Sequence, residues 1–331
     1  MPKLAIDAMS GDHGLRSSLP AAASAIAENP QLKLTLIGQT DAILRECRKR
    51  DINPEQFTIV DAPDVVAMDE KPATALRKQQ QSSLYKSIEL LRDAEVEAVV
   101  SAGNTGAMVA MGRYLLDTLP GIRRPAMCAP LPGDKGDTYM LDLGANVDCR
   151  PEELLQFALM GSALVSCLKP LSSPRVALLN IGDEAGKGSE QVKAAAELLA
   201  VAPSINYTGF VEGFDLFSNK ADVIVCDGFV GNIALKVCEG TASYISRQLK
   251  GKFSDSWYGM LSGVFVQPLL RDFKKDINPD QYNGAALLGL RGVVVKSHGS
   301  SSKKSFHSAI RHAARSVNQD LPSRIARQLA Q

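Results

Sequence analysis

The feature that most narrows the possible folds is a unit that recurs along the 331 residues: a short run rich in Val, Ile and Leu that ends in a loop of Gly, Asn, Asp or Ser. It occurs at Leu4–Asp12, Leu34–Asp41, Phe57–Asp64, Ala98–Ala107, Tyr139–Asn146, Val176–Gly188, Ile205–Gly213, Asp222–Asn232 and Gly292–Ser301. Stretches of helical spacing lie between many of these units, among them Ser18–Glu28, Asp41–Lys49, Ser83–Ala94, Pro151–Leu168, Ser189–Leu199 and Asn232–Leu249. Strand alternating with helix predicts an α/β protein, a three-layer α/β/α sandwich whose sheet is largely parallel (mixed) and covered on both faces. Continuous apolar runs such as Val223–Cys226 suit strands buried on both sides. No fixed-period repeat or low-complexity linker divides the chain, and Pro170–Pro174 is short enough for an ordinary αβ loop. Residues 1–331 are therefore read as one two-lobed α/β domain.

Composition removes several classes. At 45% hydrophobic and 22% charged the chain can bury a sizeable core. Its six cysteines include no C-x-x-C pair, which points to free buried thiols. Cys149 and Cys226, beside candidate loops, are read as small packing residues. No apolar run approaches the ~20 residues of a membrane span, and Met1–Ile6 lacks the blocks of a signal peptide, so a cytoplasmic protein is expected. The net charge of +1 hides an asymmetry: Arg291–Gln331 holds eight Lys/Arg and one acid, Asp320, hence +7 against −6 elsewhere. Such a segment fits an acidic partner or a solvated basic face. His307 and His312 on this basic helix are read as surface residues.

Nucleotide and metal motifs are missing. There is no G-x-G-x-x-G, and Gly182–Gly188 differs from a P-loop in having three residues between its first two glycines and Gly188 after Lys187. Neither H-E-x-x-H, G-x-S-x-G nor a His/Cys cluster of zinc spacing occurs, so no metal and no cofactor is expected. What is present is a series of loops after strands: Asp7–Asp12, Ser101–Gly106, Leu141–Asn146, Leu179–Gly188, Cys226–Asn232 and Val295–Ser300. Gly permits close backbone approach, Asn and Thr add donors, and the helix that follows turns N–H groups toward an anion. In open α/β sheets ligands bind beyond the carboxyl ends of the strands, so several loops are expected to face one phosphate-binding cleft.

Taken together, these loops resemble the bacterial phosphate acyltransferase family, PlsX. The resemblance is carried in order by Asp7-Ala-Met-Ser-Gly-Asp12, Ser101–Ala107, Arg124-Pro-Ala126, Leu141–Cys149, Leu179–Gly182, Asp227–Asn232, Asn283-Gly-Ala and Lys296-Ser-His-Gly299, and spans nearly the whole chain. Ser10 departs from the family, which usually has Gly there; serine fits if φ is negative. The resemblance implies a fold like that of phosphate acetyltransferases and isocitrate/isopropylmalate dehydrogenases, and a homodimer. It implies transfer of a long fatty acyl group from acyl carrier protein to inorganic phosphate. The acyl phosphate product then feeds a membrane glycerol-3-phosphate acyltransferase in phosphatidic acid synthesis.

On that reading Asn104, Asn146, Asn180 and Asn232, with Thr105, position phosphate and the thioester carbonyl. Lys187, Lys236 and Lys296 balance charge, and His298 donates a proton or orients. Asp142 and Asp227 orient these groups, and Asp7, Gly11, Gly103, Gly144, Gly182, Gly228 and Asn283 line the substrate. No strong base is needed, because a thiol of pKa ~8.5 leaves readily and phosphate is largely a dianion at neutral pH. The +7 segment is a dock for the acidic carrier, with Arg311 and Arg315 on one helical face; no nucleic acid is expected. Residues 250–276 form a basic-flanked amphipathic segment, in which Phe253, Trp257, Leu261, Phe265, Leu269 and Phe273 recur every four residues. It is read as a membrane-surface or dimer contact. Two other readings compete. A dehydrogenase of the isopropylmalate type needs a nicotinamide site and an acidic metal cluster; a membrane scaffold predicts lipid binding without thioester consumption.

Overall fold

The computed structural model describes residues 1–184, 186–254 and 284–329. Eleven strands among them form one sheet in the order β3-β2-β1-β4-β11-β10-β5-β6-β9-β7-β8. They are β1 (Lys3–Asp7), β2 (Lys33–Gly38), β3 (Thr58–Asp61), β4 (Ala98–Ser101), β5 (Ala126–Leu131), β6 (Thr138–Leu141), β7 (Arg175–Leu179), β8 (Asn206–Val211), β9 (Val223–Val225), β10 (Ala285–Leu288) and β11 (Val293–Lys296). The helices are α1 (Leu15–Glu28), α2 (Thr40–Lys49), α3 (Pro72–Lys78), α4 (Ser83–Arg92), α5 (Thr105–Leu116), α6 (Pro151–Leu168), α7 (Glu190–Ala200), α8 (Gly228–Ser254), α9 (Lys303–Asn318) and α10 (Leu321–Leu329).

Residue alternation sorts the helices into two layers. In β1, Ala5 faces the core that holds Leu84, Met108 and Leu235, so α4, α5 and α8 lie on that side. Leu4 and Ile6 face the opposite core with Leu19, Ile43, Phe306 and Ile310, which places α1, α2 and α9 there. Further along the same face Leu141, Val223 and Leu178 pack against Phe157, Ala195 and Ile325 of α6, α7 and α10. The three-layer sandwich with a mixed, mostly parallel sheet is thus the architecture.

The sheet reverses at its centre. β11 runs antiparallel to β10, β10 to β5 and β5 to β6. The strands on either side of this reversal, β1–β4 with β11 and β6–β9, therefore point their carboxyl ends in opposite directions, which a reading of one common edge did not anticipate. Register brings the ends back together. One row across the sheet runs Leu141–Cys128–Ala286–Val295, and Lys296 lies one residue beyond it. The loops after β6 and β9 thus begin close to the level at which β11 ends.

Candidate active site

Three loops of the first lobe meet backbone to backbone. Asp12 N donates to Gly299 O at 2.8 Å, and Ser297 N donates to Ser101 O at 2.8 Å. Gly11 has φ +85°, and a Cβ there would stand 2.8 Å from both Gly299 O and the Ala102 Cβ. Only glycine meets both conditions. Ser10 is not among the residues of positive φ, which is why a side chain is accommodated where the resembling family has Gly. Its hydroxyl donates to Asp7 Oδ2 at 2.5 Å, and Ser101 Oγ donates to the same oxygen at 2.6 Å. Neither hydroxyl was identified from sequence, since a serine in a Gly-rich loop carries no signal of what it will face.

Lys296 ends β11 inside this cluster. Its ammonium donates to the carbonyls of Ala102 (3.3 Å) and Ser297, and it is 9% exposed. Burial holds it down to about 8, opposed by Asp7 and Asp12 and reinforced by Lys236. No ion pair joins it to a carboxylate among the described residues. A buried cation without a contacting counter-ion is costly to the fold. Lys236 of α8 reaches the same cluster: its Nζ lies 3.3 Å from His298 Nε2 and 2.8 Å from Glu239 Oε2. His298 Nδ1 lies 2.8 Å from Ser300 Oγ. Burial first, then the two lysines, lower the affinity of His298 for a proton against the pull of Glu239, so it is neutral at pH 7. Glu239 went unnoticed in the sequence, although three residues beyond Lys236 on a helix it was bound to lie beside it.

The second lobe supplies a second knot. Asp142 is fully buried and accepts four hydrogen bonds, from the N–H groups of Met127 (2.8 Å), Ala145 (3.1 Å) and Asn146 (2.7 Å) and from Asn146 Nδ2 (2.8 Å). Gly228 N donates to Asn146 O at 2.7 Å, and Asp227 Oδ1 accepts from Val230 N at the start of α8. Gly144 lies against Asn232, which is exposed on the first turn of α8. One further turn, about 5.4 Å along the axis, brings α8 to Lys236 and the first cluster. The first turns of α8 thus link the knots. They also fix its position: a Cβ on Gly231 would sit 1.9 Å from the Asp142 carbonyl oxygen. Gly231→Ala is expected to lose about 3 kcal/mol of stability, read by chemical denaturation, because backbone and not a flexible side chain must yield.

The remaining expected residues divide by what their side chains do. The Asn104 amide donates to the carbonyls of Ala67, Met68 and Glu70 while its oxygen caps α5 at Ala107 N, so it pins the 67–70 loop beside the site. Asn146 Nδ2 also donates to Pro125 O, and Asn180 Nδ2 donates to the carbonyls of Gly182 and Lys187. These three amides hold loops. Thr105 opens α5, whose first N–H groups face forward, and Gly103 N is held by Ser101 Oγ at 3.0 Å. Asn180 follows β7, and the parallel register Leu178↔Val225 sets it beside Asp227. Lys187 there pairs with Glu184 at 2.9 Å, half exposed, and none of the loop's hydrogen bonds or ion pairs reaches Lys296. Asn283 lies outside the described residues, as does the 250–276 segment beyond Ser254.

The cysteines are poor nucleophiles: burial pushes Cys149 up to about 12 and raises Cys128 and Cys226 well above the ordinary thiol range. The histidines of α9 differ from their surface reading. His312 is packed against Gly284, and burial drives it down to about 4. His307 Nε2 lies 3.0 Å from Glu28 of α1. Their helix turns this side toward α1 and the sheet, which the high density of basic residues around them concealed. Among the described residues no group of His, Cys, Asp and Glu is arranged to hold a metal ion, and no helix is long and apolar enough to cross a membrane.

Comparison with known proteins places this geometry. A phosphotransacetylase from Streptococcus pyogenes superposes with a TM-score of 0.66 at 17% identity, covering 96% of this chain and 94% of its own, which shows a shared fold. A protein named phosphate acyltransferase from Alcanivorax borkumensis is 48% identical over 99% of this chain and 97% of its own length. One of the same name from Pseudomonas aeruginosa is 48% identical over 98% and 96%. The family model described as fatty acid synthesis protein matches residues 2–324. With 48% identity over nearly the whole chain and a family model matching residues 2–324, this chain belongs to the phosphate acyltransferase family of fatty acid synthesis proteins.

Proposed function

We propose that this chain transfers a fatty acyl group from the thioester of acyl carrier protein to inorganic phosphate, giving acyl phosphate for phospholipid synthesis. The observation that carries the reading is Lys296, a buried ammonium without a contacting carboxylate among the described residues, which donates to Ala102 O three residues before α5 begins, close to the Lys236–His298 pair. Phosphate placed there meets the positive ends of helix dipoles and two lysines. A phosphate oxygen attacks the thioester carbonyl, the C–S bond breaks, and the thiolate leaves without a general acid. Lys236 and the exposed Asn232 amide are the groups within reach to steady the oxyanion, while Asp142 and Asp227 fix the backbone beneath them. Neutral His298, hydrogen-bonded to Lys236, orients that lysine. The test is an assay of carrier thioester with and without phosphate: thiol release strictly dependent on phosphate supports the reading, and equal release without phosphate points to a hydrolase.

The carrier is acidic and the +7 segment offers α9 as its dock. Arg315 donates to Leu168 O, so its charge also anchors α6; Lys304 and Arg311, two turns apart and both exposed, are the freer probes. Charge reversal at both is expected to raise KM for the carrier about tenfold at low salt and much less at high salt. An unchanged KM at low salt moves the dock elsewhere. Phe229, Ile233, Val237 and Tyr244 expose an apolar stripe along α8, which supports a homodimer; residues 250–276 continue from that helix as the element proposed to meet the membrane and the downstream glycerol-3-phosphate acyltransferase.

A further inference from the structure

Residues 62–71, between β3 and α3, are tied down along their length. Ser83 N donates to Asp64 O at 3.0 Å, and Val66 is buried in the same core as Leu84 and Tyr85 of α4. Asn104 Nδ2 donates to the carbonyls of Ala67 (3.2 Å), Met68 (2.9 Å) and Glu70 (2.9 Å). Pro72, the first residue of α3, packs on α5 so closely that a Cβ on Gly106 would stand 2.6 Å from its Cγ. A loop so tied holds its side chains in fixed places.

Met68 is apolar, yet it is 46% exposed on this fixed loop. Its methyl lies on Gly299, where an added Cβ would stand 3.1 Å from Met68 Cε. Gly299 is not among the glycines of positive φ, so its backbone does not call for glycine; the missing side chain makes room for the methionine methyl. Gly299 directly follows His298, whose Nε2 lies 3.3 Å from Lys236 Nζ, and Gly299 O accepts from Asp12 N at 2.8 Å. Met68 therefore covers backbone next to the polar groups of the candidate site. On α8, Ile233 is 48% exposed and precedes Lys236 by three residues, on the same side of the helix. Apolar side chains thus border the polar centre on two elements. A fatty acyl thioester is built the same way: a polar reacting carbonyl, then a long alkyl chain that gains by leaving water. Methionine, flexible and polarizable, suits a surface that must accommodate such a chain.

We propose that Met68 is a specificity-determining residue: its side chain is the wall along which the acyl chain lies as it leaves the thioester carbonyl beside His298 and Lys236, and it gives long chains their advantage. The proposal rests on the acyl-transfer reading above.

The experiment measures thiol release from acyl carrier protein loaded with hexadecanoyl or acetyl groups. The full-length wild type is compared with Met68→Gln, Met68→Ala and Met68→Leu. Acetyl is too short to lie along Met68 and serves as the internal reference. Gln keeps the length of Met but brings a polar end, whereas Leu keeps the apolar surface. Met68→Gln and Met68→Ala are expected to lower kcat/KM for the hexadecanoyl thioester about tenfold relative to the acetyl thioester, with Met68→Leu within about twofold of wild type. KM for phosphate is expected to stay within about twofold in all three. A half-exposed position tolerates these changes, so urea titration should show wild-type midpoints. If Gln and Ala leave the ratio of the two thioesters unchanged, or lower both rates equally, Met68 serves the loop and not the chain, and the proposal is overturned. A Leu variant whose ratio falls as far as that of Gln overturns it too. Thiol release does not depend on the acceptor, which separates the two readings. If the ratio falls as expected while the wild type releases thiol equally fast without phosphate, the chain contact stands and the phosphate reading fails.

Discussion

Replacing Lys296 with Met is expected to abolish acyl transfer and to make the protein more stable at neutral pH. Burial lowers the lysine from 10.5 to about 8 in the folded chain, whereas the unfolded chain keeps its proton up to the ordinary value. The folded state therefore carries a cost on the order of 3 kcal/mol below pH ~8, which fades as pH rises from there to ~10.5. Met removes that cost but leaves the carbonyls of Ala102 and Ser297 without their donor, an offset of roughly 1 kcal/mol each. The net gain is about 1 kcal/mol at pH 7, and the advantage over wild type shrinks at alkaline pH. Denaturant titrations of both proteins at neutral and alkaline pH measure it. A loss of stability at pH 7 shows that the ammonium is not a buried, unpaired charge. On activity, a drop in kcat/KM of at least about a hundredfold matches removal of the main positive charge from the proposed phosphate position.

Asp142→Ala is the change expected to damage the fold most. Four donors converge on this fully buried carboxylate. Burial raises its affinity for a proton and the four donors oppose that, so it is the shared acceptor on which the loop converges. Alanine leaves all four N–H groups without it, at about 1–3 kcal/mol each where water cannot reach. A total of roughly 4 kcal/mol or more approaches the whole stability margin of a typical protein. Urea denaturation should show a much lower midpoint, with activity lost because the Gly228 and Asn232 end of α8 is built on this loop. A midpoint within about 0.5 kcal/mol of wild type indicates that water replaces the carboxylate.

The sequence disclosed strands by their endings. Nine apolar runs that stop at a Gly, Asn or Asp loop were legible, and all nine contain strands. β5 and β10 were not. β5 carries Pro130, which reads as a strand breaker. β10 is Ala-Ala-Leu-Leu, a helix-forming composition that becomes a strand because both its neighbours offer ladder partners. These two strands reverse the sheet, so the topology that joins the two lobes was hidden while the layers were not. The loops follow strands as expected, yet the use of each side chain depends on distant partners. Asn104, Asn146 and Asn180 look like ligand donors in sequence, but their amides meet backbone carbonyls two to thirty-seven residues away. Lys296, by contrast, stands out once its burial is seen. A lysine closing a Val-Val-Val strand was the one sequence hint that a charge would be carried inside.

The central claim is that inorganic phosphate is the acyl acceptor. Incubating acyl carrier protein thioester with phosphate bearing heavy oxygen at all four positions, and weighing the acyl phosphate by mass spectrometry, tests it directly. The account predicts acyl phosphate that retains every labelled oxygen, formed in step with free thiol and lost in Lys296→Met. Free fatty acid that carries one oxygen from water, with no labelled acyl phosphate, would contradict it.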